Sequence, residues 1–197
     1  MAHIDYYLST LSPYVYLSGT RPQEVADRQG ATIRYKPLDV VALFSRTGGQ
    51  APAERHPSRQ EYRAQELPRQ ARKLGMPLNL RPAHWPTNPA PSAYAIIAAQ
   101  EAGGGDLAAL VAGFGRACWA EERDVAEDAV VRETLEAAGF DPGLADSGLL
   151  AGAETYARNL EEAVSAGAFG APFFVTDDGA RFWGQDRIED LDAHLSG

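Results

Sequence analysis

One stretch near the C-terminal end constrains the fold more than any other part of the sequence: Gly167-Ala168-Phe169-Gly170-Ala171-Pro172-Phe173-Phe174-Val175. Two glycines flank a large aromatic residue, and a proline then precedes three residues typical of a strand. Because proline cannot donate a hydrogen bond to a sheet, it is tolerated at the first residue of a strand and rarely inside one. Pro172 is therefore predicted to open a strand. Its peptide bond can be cis where the backbone must approach another segment closely, although an ordinary loop entering a strand is the commoner explanation of such a stretch.

The length and the charge of the chain limit the remaining possibilities. A chain of 197 residues with 45% hydrophobic and 23% charged residues is globular and long enough for one well-packed domain with an insertion. Its net charge of −9 argues against nucleic acid and against an anionic membrane as partners. A local basic pocket for a small anion is compatible with this charge.

Cysteine usage and hydropathy are typical of a soluble intracellular protein. Cys118 is the single cysteine, so no internal disulfide is expected, and no spacing of metal-binding residues supports a zinc site. The N-terminus lacks the basic and apolar regions of a signal peptide. No apolar run reaches the roughly 18 residues of a membrane-spanning helix. We therefore expect a soluble cytoplasmic protein.

The N-terminal part of the chain has the pattern of a strand, a helix and a second strand. Residues 3–8 alternate and are rich in aromatics, which favours a strand. The dipeptide Ser12-Pro13 predicts a helix start, because serine caps free backbone N–H groups and proline at the first helical position lacks one. The helix is expected to kink or restart at Pro22 and to end at Gly30, and a strand follows over residues 32–38. This is the βαβ unit of a parallel strand pair.

The middle of the chain is predicted to be entirely helical. Glycine, proline and polar residues indicate a loop from Ser45 to Ser58, and five prolines exclude regular structure from Met76 to Pro91. Between and after these segments, helices are predicted over residues 59–74, 92–102, 107–123, 125–138 and 151–166.

The C-terminal part is predicted to form two strands and a helix. Residues 173–176 and 180–183 are the predicted strands of a hairpin, because Asp177-Asp178-Gly179 is a hairpin-turn signal. A last helix is predicted over residues 187–195, with Asp186 at its N-cap position. The order βαβ, helices, ββα predicts an α/β, thioredoxin-like fold with an all-helical insertion. The thioredoxin-like domain comprises residues 1–40 and 160–197, and the insertion comprises residues 41–159.

Three features converge where an open α/β sheet usually binds its ligands, at the carboxyl ends of its parallel strands. Ser12 opens the first helix, the Ala171-Pro172 junction enters the third strand, and Asp186 opens the last helix. A helix N-terminus attracts an anion. A thiolate held there would accept a hydrogen bond from the Ser12 hydroxyl, which lowers the pKa of the thiol. The simpler alternative for Ser12 is a plain helix cap, the commonest role of serine at that position.

Other catalytic arrangements have less support in the sequence. The chain has no Gly-x-Ser-x-Gly segment, and none of its four histidines has an evident catalytic pairing. Cys118 lies in an apolar helix and is expected to be an inert core residue. Tyr14 and Trp85 are candidates for the lining of an apolar pocket, whereas Tyr16 and Trp119 are expected to pack in the core.

Taken together, the motifs resemble those of a known family. Ser12-Pro13-Tyr14-Val15 occupies the place of the Cys-x-x-Cys of thioredoxin-fold oxidoreductases, with both cysteines replaced. The other motifs are Asp5-Tyr6-Tyr7-Leu8, Gly170-Ala171-Pro172 and Trp183-Gly184-Gln185-Asp186-Arg187. In this order, over nearly the whole chain, they are similar to the 2-hydroxychromene-2-carboxylate isomerases, which are relatives of the class kappa glutathione transferases.

The resemblance implies a thioredoxin fold with a DsbA-like helical insertion, a homodimer, and glutathione as cofactor. By this resemblance Ser12 contacts the sulfur of glutathione, and the Ala171-Pro172 segment pairs with its cysteinyl part. Further contacts are implied at Gln185 and Asp186 for the γ-glutamyl end, at Arg59 and Gln50 for glutathione, and at Asn88 near the substrate. Tyr14 and Trp85, the candidates for the pocket lining, are assigned with Asn88 to an aromatic carboxylate substrate. Gln50 stands where the family has an asparagine, so the chain departs from the pattern at this position.

The mechanism that the family implies is nucleophilic catalysis with a borrowed nucleophile. A glutathione thiolate stabilised by Ser12 adds to a conjugated carbon of an intermediate of aromatic hydrocarbon catabolism. The ring opens, the former double bond rotates, and elimination returns glutathione. The arginines of the insertion are candidates for holding the substrate carboxylate through two hydrogen bonds. One alternative is a kappa-type glutathione transferase or peroxidase, in which the thiolate ends up in the product. A dithiol oxidoreductase and a non-catalytic binding module are further alternatives, and the missing second cysteine argues against the former.

Overall fold

The computed structural model describes residues 2–197 and contains a four-stranded mixed sheet. Its strands are β1 (His3–Leu8), β2 (Thr32–Pro37), β3 (Phe173–Thr176) and β4 (Arg181–Trp183), in the spatial order β2-β1-β3-β4. β1 and β2 are parallel, whereas β3 runs antiparallel to both β1 and β4. The start of β3 therefore lies beside the carboxyl end of β1. This is the α/β, thioredoxin-like arrangement that the sequence predicts.

Three helices accompany the sheet and seven form the block between β2 and β3. The first group is α1 (Pro13–Ser18), α2 (Arg21–Gln29) and α10 (Ile188–Leu195). The second group is α3 (Val40–Thr47), α4 (Pro57–Leu74), α5 (Ala90–Ala102), α6 (Leu107–Trp119), α7 (Asp128–Ala137), α8 (Leu144–Ser147) and α9 (Leu149–Ala166). None of these helices, which all lie within residues 2–197, combines the length and the apolar character needed to cross a bilayer.

The predicted loop from Ser45 to Ser58 is wrong at its beginning. Residues 45–47 belong to α3, whose first turn is capped by Asp39: the carboxylate accepts hydrogen bonds from the backbone N–H groups of Val41 at 2.9 Å and Ala42 at 3.0 Å. Gly48 ends the helix in the left-handed conformation that glycine adopts most easily. The end of the predicted loop is also too late, because α4 begins at Pro57.

The predicted helices over residues 107–123 and 125–138 extend too far toward each other. Residues 120–127 form a connection between α6 and α7, and Glu122 has a positive φ of 56°. Its carboxylate accepts hydrogen bonds from the side chain of Asn79 at 2.6 Å and from the backbone N–H of Ala83 at 2.5 Å. Contacts with the proline-rich segment before α5 thus hold this connection out of the helix.

The helical block packs directly on the sheet rather than standing apart from it. The side chain of Gln100 on α5 accepts a hydrogen bond from the N–H of Tyr35 at 2.8 Å and donates one to its carbonyl at 3.1 Å, so it satisfies the backbone of the edge strand β2. α9 runs without interruption through residue 160. The division into residues 1–40 with 160–197 and residues 41–159 stays a prediction.

α1 lies close against α6, and a glycine permits the approach. A Cβ atom added to Gly115 would lie 3.1 Å from the Cα atom of Tyr16 and 3.0 Å from its ring. The Tyr16 hydroxyl donates a hydrogen bond to the carbonyl of Pro77 at 2.6 Å. Tyr16 and Trp119 are both buried in the main hydrophobic core, as the sequence predicts. The helical block therefore fixes the position of α1 at the end of β1.

Candidate functional site

Ser12 lies between the end of β1 and the start of α1, and its hydroxyl makes two contacts. The Oγ atom accepts a hydrogen bond from the N–H of Val15 at 3.3 Å, which confirms the predicted helix cap. It also donates a hydrogen bond to the carbonyl oxygen of Ala171 at 3.1 Å. The Ser12 residue is 9% exposed. The hydroxyl is thus both a cap and a contact to the segment that enters β3.

The Ala171-Pro172 peptide bond is cis, and Pro172 immediately precedes β3. The carbonyl of Pro172 accepts a hydrogen bond from the N–H of Gly184 at 3.0 Å. A Cβ atom added at position 170 would lie 2.5 Å from Nε1 of Trp183, so a larger residue there would displace this exposed indole. Ala171 is half-buried, and its N–H has no acceptor among residues 2–197. The backbone of Ala171 is therefore available to pair with an extended ligand.

The loop before Ser12 is anchored to the helical block by two side chains. The indole N–H of Trp85 donates a hydrogen bond to the carbonyl of Leu11 at 3.0 Å. The hydroxyl of Ser92, buried at the start of α5, donates one to Thr10 at 2.8 Å. The side chain of Trp85, which the sequence assigns to the substrate, is consequently fixed against Leu11, the residue before Ser12.

An arginine that the sequence analysis did not single out lies beside these residues. The guanidinium carbon of Arg63, on α4, is 5.4 Å from the ring centroid of Trp85 and 6.0 Å from that of Trp119. Burial raises the pKa of the Tyr14 hydroxyl, and the charge of Arg63 partly opposes this rise. Tyr14 and Trp85, two of the three predicted substrate residues, therefore share one cationic neighbour.

Gln50 and Arg59, both predicted to contact glutathione, line an open cleft of about 270 Å³. The cleft also contains two exposed aromatic residues, Phe169 and Trp183, whose ring centroids are 4.9 Å apart. Arg55 projects into it, with Nε donating to the carbonyl of Gln50 at 3.0 Å. The cleft combines aromatic walls with two cations and adjoins the Gly170-Ala171 segment through Phe169.

Gln185 and Asp186 line a second, smaller cavity of about 80 Å³. Gln185 is buried, and its amide accepts a hydrogen bond from Arg21 at 2.6 Å and donates one to Gln70 at 3.2 Å. Asp186 is exposed and caps no helix, so its predicted N-cap role is wrong. The reason is that residues 185–187 form a separate 3-10 turn before α10, and the Asp186 carboxylate instead lines the cavity and pairs with Arg187.

Two other predicted residues have structural roles in the part of the chain that is described. The Asn88 side-chain oxygen accepts a hydrogen bond from the N–H of Ala90 at 3.0 Å at the start of α5, and the side chain is exposed. Cys118 is buried, and burial together with Asp124 and Glu122 raises the pKa of its thiol to about 12. No cluster of three or more potential metal ligands occurs among residues 2–197.

The seven residues predicted to contact glutathione thus fall into three groups. Ser12 meets the Ala171-Pro172 segment, Gln50 and Arg59 share the cleft, and Gln185 and Asp186 share the small cavity; Ser12 lines neither of these two spaces. Arg59 and Arg63 are four residues apart, a spacing that places both on one face of α4 and could have drawn attention to Arg63.

Comparisons with known proteins agree with this architecture. The sequence profile described as DSBA-like thioredoxin domain matches residues 3–196. A relative from Sphingobium xenophagum named 2-hydroxychromene-2-carboxylate isomerase is 29% identical over 196 residues, which cover 98% of this chain and 97% of the relative. A protein of the same name from Pseudomonas putida is 28% identical over 201 residues, covering 98% of this chain and 93% of the relative.

Two solved structures extend the comparison. The structure of a selenomethionine 2-hydroxychromene-2-carboxylate isomerase has a TM-score of 0.76 at 25% identity and covers 98% of this chain and 94% of its own. The cytosolic disulfide reductase DsbM from Pseudomonas aeruginosa, with GSH, has a TM-score of 0.70 at 21% identity, with coverage of 98% and 97%. These matches confirm the predicted fold and the resemblance that the sequence motifs indicate.

Proposed function

Because the chain belongs to the DSBA-like thioredoxin domain family, we propose that it is a glutathione-dependent isomerase of 2-hydroxychromene-2-carboxylate or a related intermediate of aromatic degradation. The observation that carries the proposal is the position of Ser12, whose hydroxyl caps α1 and contacts Ala171 beside the cis-proline. Thioredoxin-fold oxidoreductases have a redox thiol at this position. The two relatives named as isomerases support the same reaction class.

The residues around Ser12 fit glutathione as the source of sulfur. The single cysteine is buried with a raised pKa, so the protein has no reactive thiol of its own at the site. The backbone N–H of Ala171 lacks an acceptor in the described chain and can pair with a peptide. The small cavity is lined by cations and carboxylates: Arg21, Lys73, Asp186 and Glu189. Such a set matches the amino and carboxylate groups of a γ-glutamyl end.

The chain's own residues would then act by binding and orientation. Bound glutathione would supply a thiolate that adds reversibly to a conjugated double bond of the substrate. The Ser12 hydroxyl would turn from the carbonyl of Ala171 toward the anionic sulfur and donate its proton in a hydrogen bond, which lowers the pKa of the thiol. Tyr14 and Trp85 would form the wall beside the substrate ring. A homodimer and a cytoplasmic location stay predictions.

The proposal is tested by following isomerisation of 2-hydroxychromene-2-carboxylate by absorbance, with and without glutathione. We expect turnover only with glutathione and an unchanged free-thiol concentration at the end of the reaction. S-Methylglutathione, which has no thiol, should not support turnover. Loss of one thiol per product would indicate the transferase alternative instead, and equal turnover without glutathione would contradict the proposed mechanism.

A further inference from the structure

Arg63 is a half-buried cation that has no anionic partner among residues 2–197. Its guanidinium forms neither an ion pair nor a hydrogen bond there, and it lies over the rings of Trp85 and Trp119. Arginines that lose water on burial are usually matched by a carboxylate or a phosphate. An unmatched one next to a candidate active site indicates that its partner is a ligand.

The neighbouring charges do not supply that partner. Glu66, one helical turn along α4, accepts hydrogen bonds from Arg69 and from Gln70 at 2.6 Å, so its carboxylate is already occupied. Arg55, a second cation, is close enough to Arg63 to act on its charge. Burial lowers the pKa of the Arg63 guanidinium, Tyr14 opposes this, and the charge of Arg55 lowers it further. The local field is therefore positive and favours an anion.

The indole under this cation is hydrogen-bonded to the loop that carries the proposed catalytic serine. Trp85 lies below the guanidinium and donates its indole N–H to the carbonyl of Leu11, the residue before Ser12. Trp119 packs beside Trp85, with ring centroids 5.5 Å apart. Its own indole nitrogen is buried without a partner in the described chain. Arg63 and the two indoles thus form one unit that is held at the Ser12 loop.

We propose that Arg63 binds the carboxylate of an aromatic substrate and makes the enzyme selective for planar aromatic acids. The inference rests on the proposed function for the identity of the reaction, and it names the residue that selects the substrate. Arginine is suited to the role, because its planar guanidinium can bind a carboxylate through two parallel hydrogen bonds while it stays over an aromatic ring.

The carboxylate could in principle come from glutathione, and the surroundings of Arg63 decide against this source. The partly exposed indole of Trp85 lies beside the guanidinium, and an aromatic acid has a ring to place against it, whereas glutathione has none; Trp119 itself is fully buried. Arg59, which lines the cleft, remains available for the tripeptide. Substrate recognition at Arg63 and cofactor recognition elsewhere are therefore separable by mutation.

The experiment measures binding rather than turnover. Chromone-2-carboxylate, a stable planar acid, and its neutral carboxamide are titrated by calorimetry into the wild-type chain and into Arg63→Gln, Arg63→Lys and Arg72→Gln. Arg72 is an exposed arginine near the end of the same helix and serves as the matched control. We expect Arg63→Gln to bind the acid about 10- to 100-fold more weakly, the range for a lost hydrogen bond to a charged group.

The other measurements separate the possible causes. Arg63→Gln should bind the carboxamide and glutathione with the same affinity as the wild type. Arg63→Lys should retain part of the affinity for the acid, and Arg72→Gln should bind all three compounds as the wild type does. The inference would be overturned if Arg63→Gln bound the acid and the carboxamide more weakly to the same extent, or if it bound glutathione more weakly. It would also be overturned if the wild type did not bind the acid. If no isomerase turnover is found while acid binding still depends on Arg63, the proposed function fails and the inference stands. Circular dichroism checks that each variant is folded.

Discussion

The side chain of Ser12 and the backbone of Ala171 meet although 159 positions separate them in the sequence: the serine hydroxyl donates a hydrogen bond to the alanine carbonyl at 3.1 Å. The same oxygen accepts the N–H of Val15 and so caps α1. One hydroxyl therefore contributes to helix stability and stands at the entrance to β3. The effects of Ser12 on stability and on catalysis must therefore be measured separately before either role is assigned to this hydroxyl.

The Ser12 substitutions that separate the two roles are Ser12→Ala and Ser12→Gly. Alanine removes the cap and the donor, and we expect about 1 kcal/mol of lost unfolding free energy with about a 100-fold or greater loss of kcat/KM. Glycine is nearly as good an N-cap as serine and should cost only a few tenths of a kcal/mol, yet activity should fall as far as in Ser12→Ala. Urea unfolding and glutathione-dependent isomerisation are the measurements. Full activity in Ser12→Gly would restrict Ser12 to capping.

Cys118 is predicted to be chemically silent in the folded protein. Burial, together with Asp124 and Glu122, raises the pKa of the thiol to about 12. At pH 8 only about one thiol in 10,000 is then ionised, and the thiolate is the reactive form. We expect no reaction with Ellman's reagent in the native state and one thiol per chain after unfolding in guanidinium chloride. Cys118→Ala should retain glutathione-dependent turnover, and rapid labelling of the native chain would contradict the assignment of the nucleophile to glutathione.

Lys36 is predicted to stabilise the fold up to alkaline pH. Its buried ammonium donates to Asp5 at 2.7 Å and to Glu162 at 2.9 Å; burial opposes the charged form, but the two carboxylates prevail and raise the pKa. A raised pKa means that the contribution is complete below the ordinary lysine value of about 10.4 and is lost as the pH rises through the higher folded value.

The corresponding measurement is urea unfolding of the wild type and Lys36→Met from pH 7 to pH 11. At pH 7 the variant should be less stable by about 2 kcal/mol, because two carboxylates lose their partner, and the difference should shrink above about pH 10.4. Arg46→Met, which removes an exposed ion pair with Glu161, is the control and should change little. A difference that grows with pH would mean that the pKa of Lys36 is lowered instead.

The elements predicted correctly have signals that lie within a few residues of each other. The dipeptide Ser12-Pro13 and the turn Asp177-Asp178-Gly179 fix the backbone locally, so β1, α1 and the C-terminal hairpin follow from the sequence. α3 is missed because its cap, Asp39, directly follows β2 and its end runs into a segment rich in glycine and proline. The glycine and proline content of that segment predicts a loop more strongly than the short pattern of a two-turn helix predicts a helix.

The unpredicted part of the site depends on contacts over long sequence distances. Arg63 reaches Trp85 only because the irregular segment before α5 folds back over α4, and no local pattern specifies the path of that segment. Asp186 has the residue type of a helix cap, but the chain first makes a 3-10 turn, which moves α10 away from it. In both cases tertiary packing decides what a polar side chain faces.

Asp186 is predicted to bind the amino group of the γ-glutamyl end of glutathione. Its exposed carboxylate lines the small cavity and lies 3.5 Å from the guanidinium of Arg187, which does not line it. Asp186→Asn should weaken glutathione binding about tenfold, the effect of a lost charge-assisted hydrogen bond. A glutathione analogue that lacks the amino group should bind the wild type and Asp186→Asn equally, because it has no ammonium to lose. Calorimetry measures all four affinities, with Asp190→Asn, one turn along α10, as the matched control. If Asp186→Asn weakens the binding of both peptides to the same extent, the carboxylate maintains the shape of the cavity and does not bind the amino group.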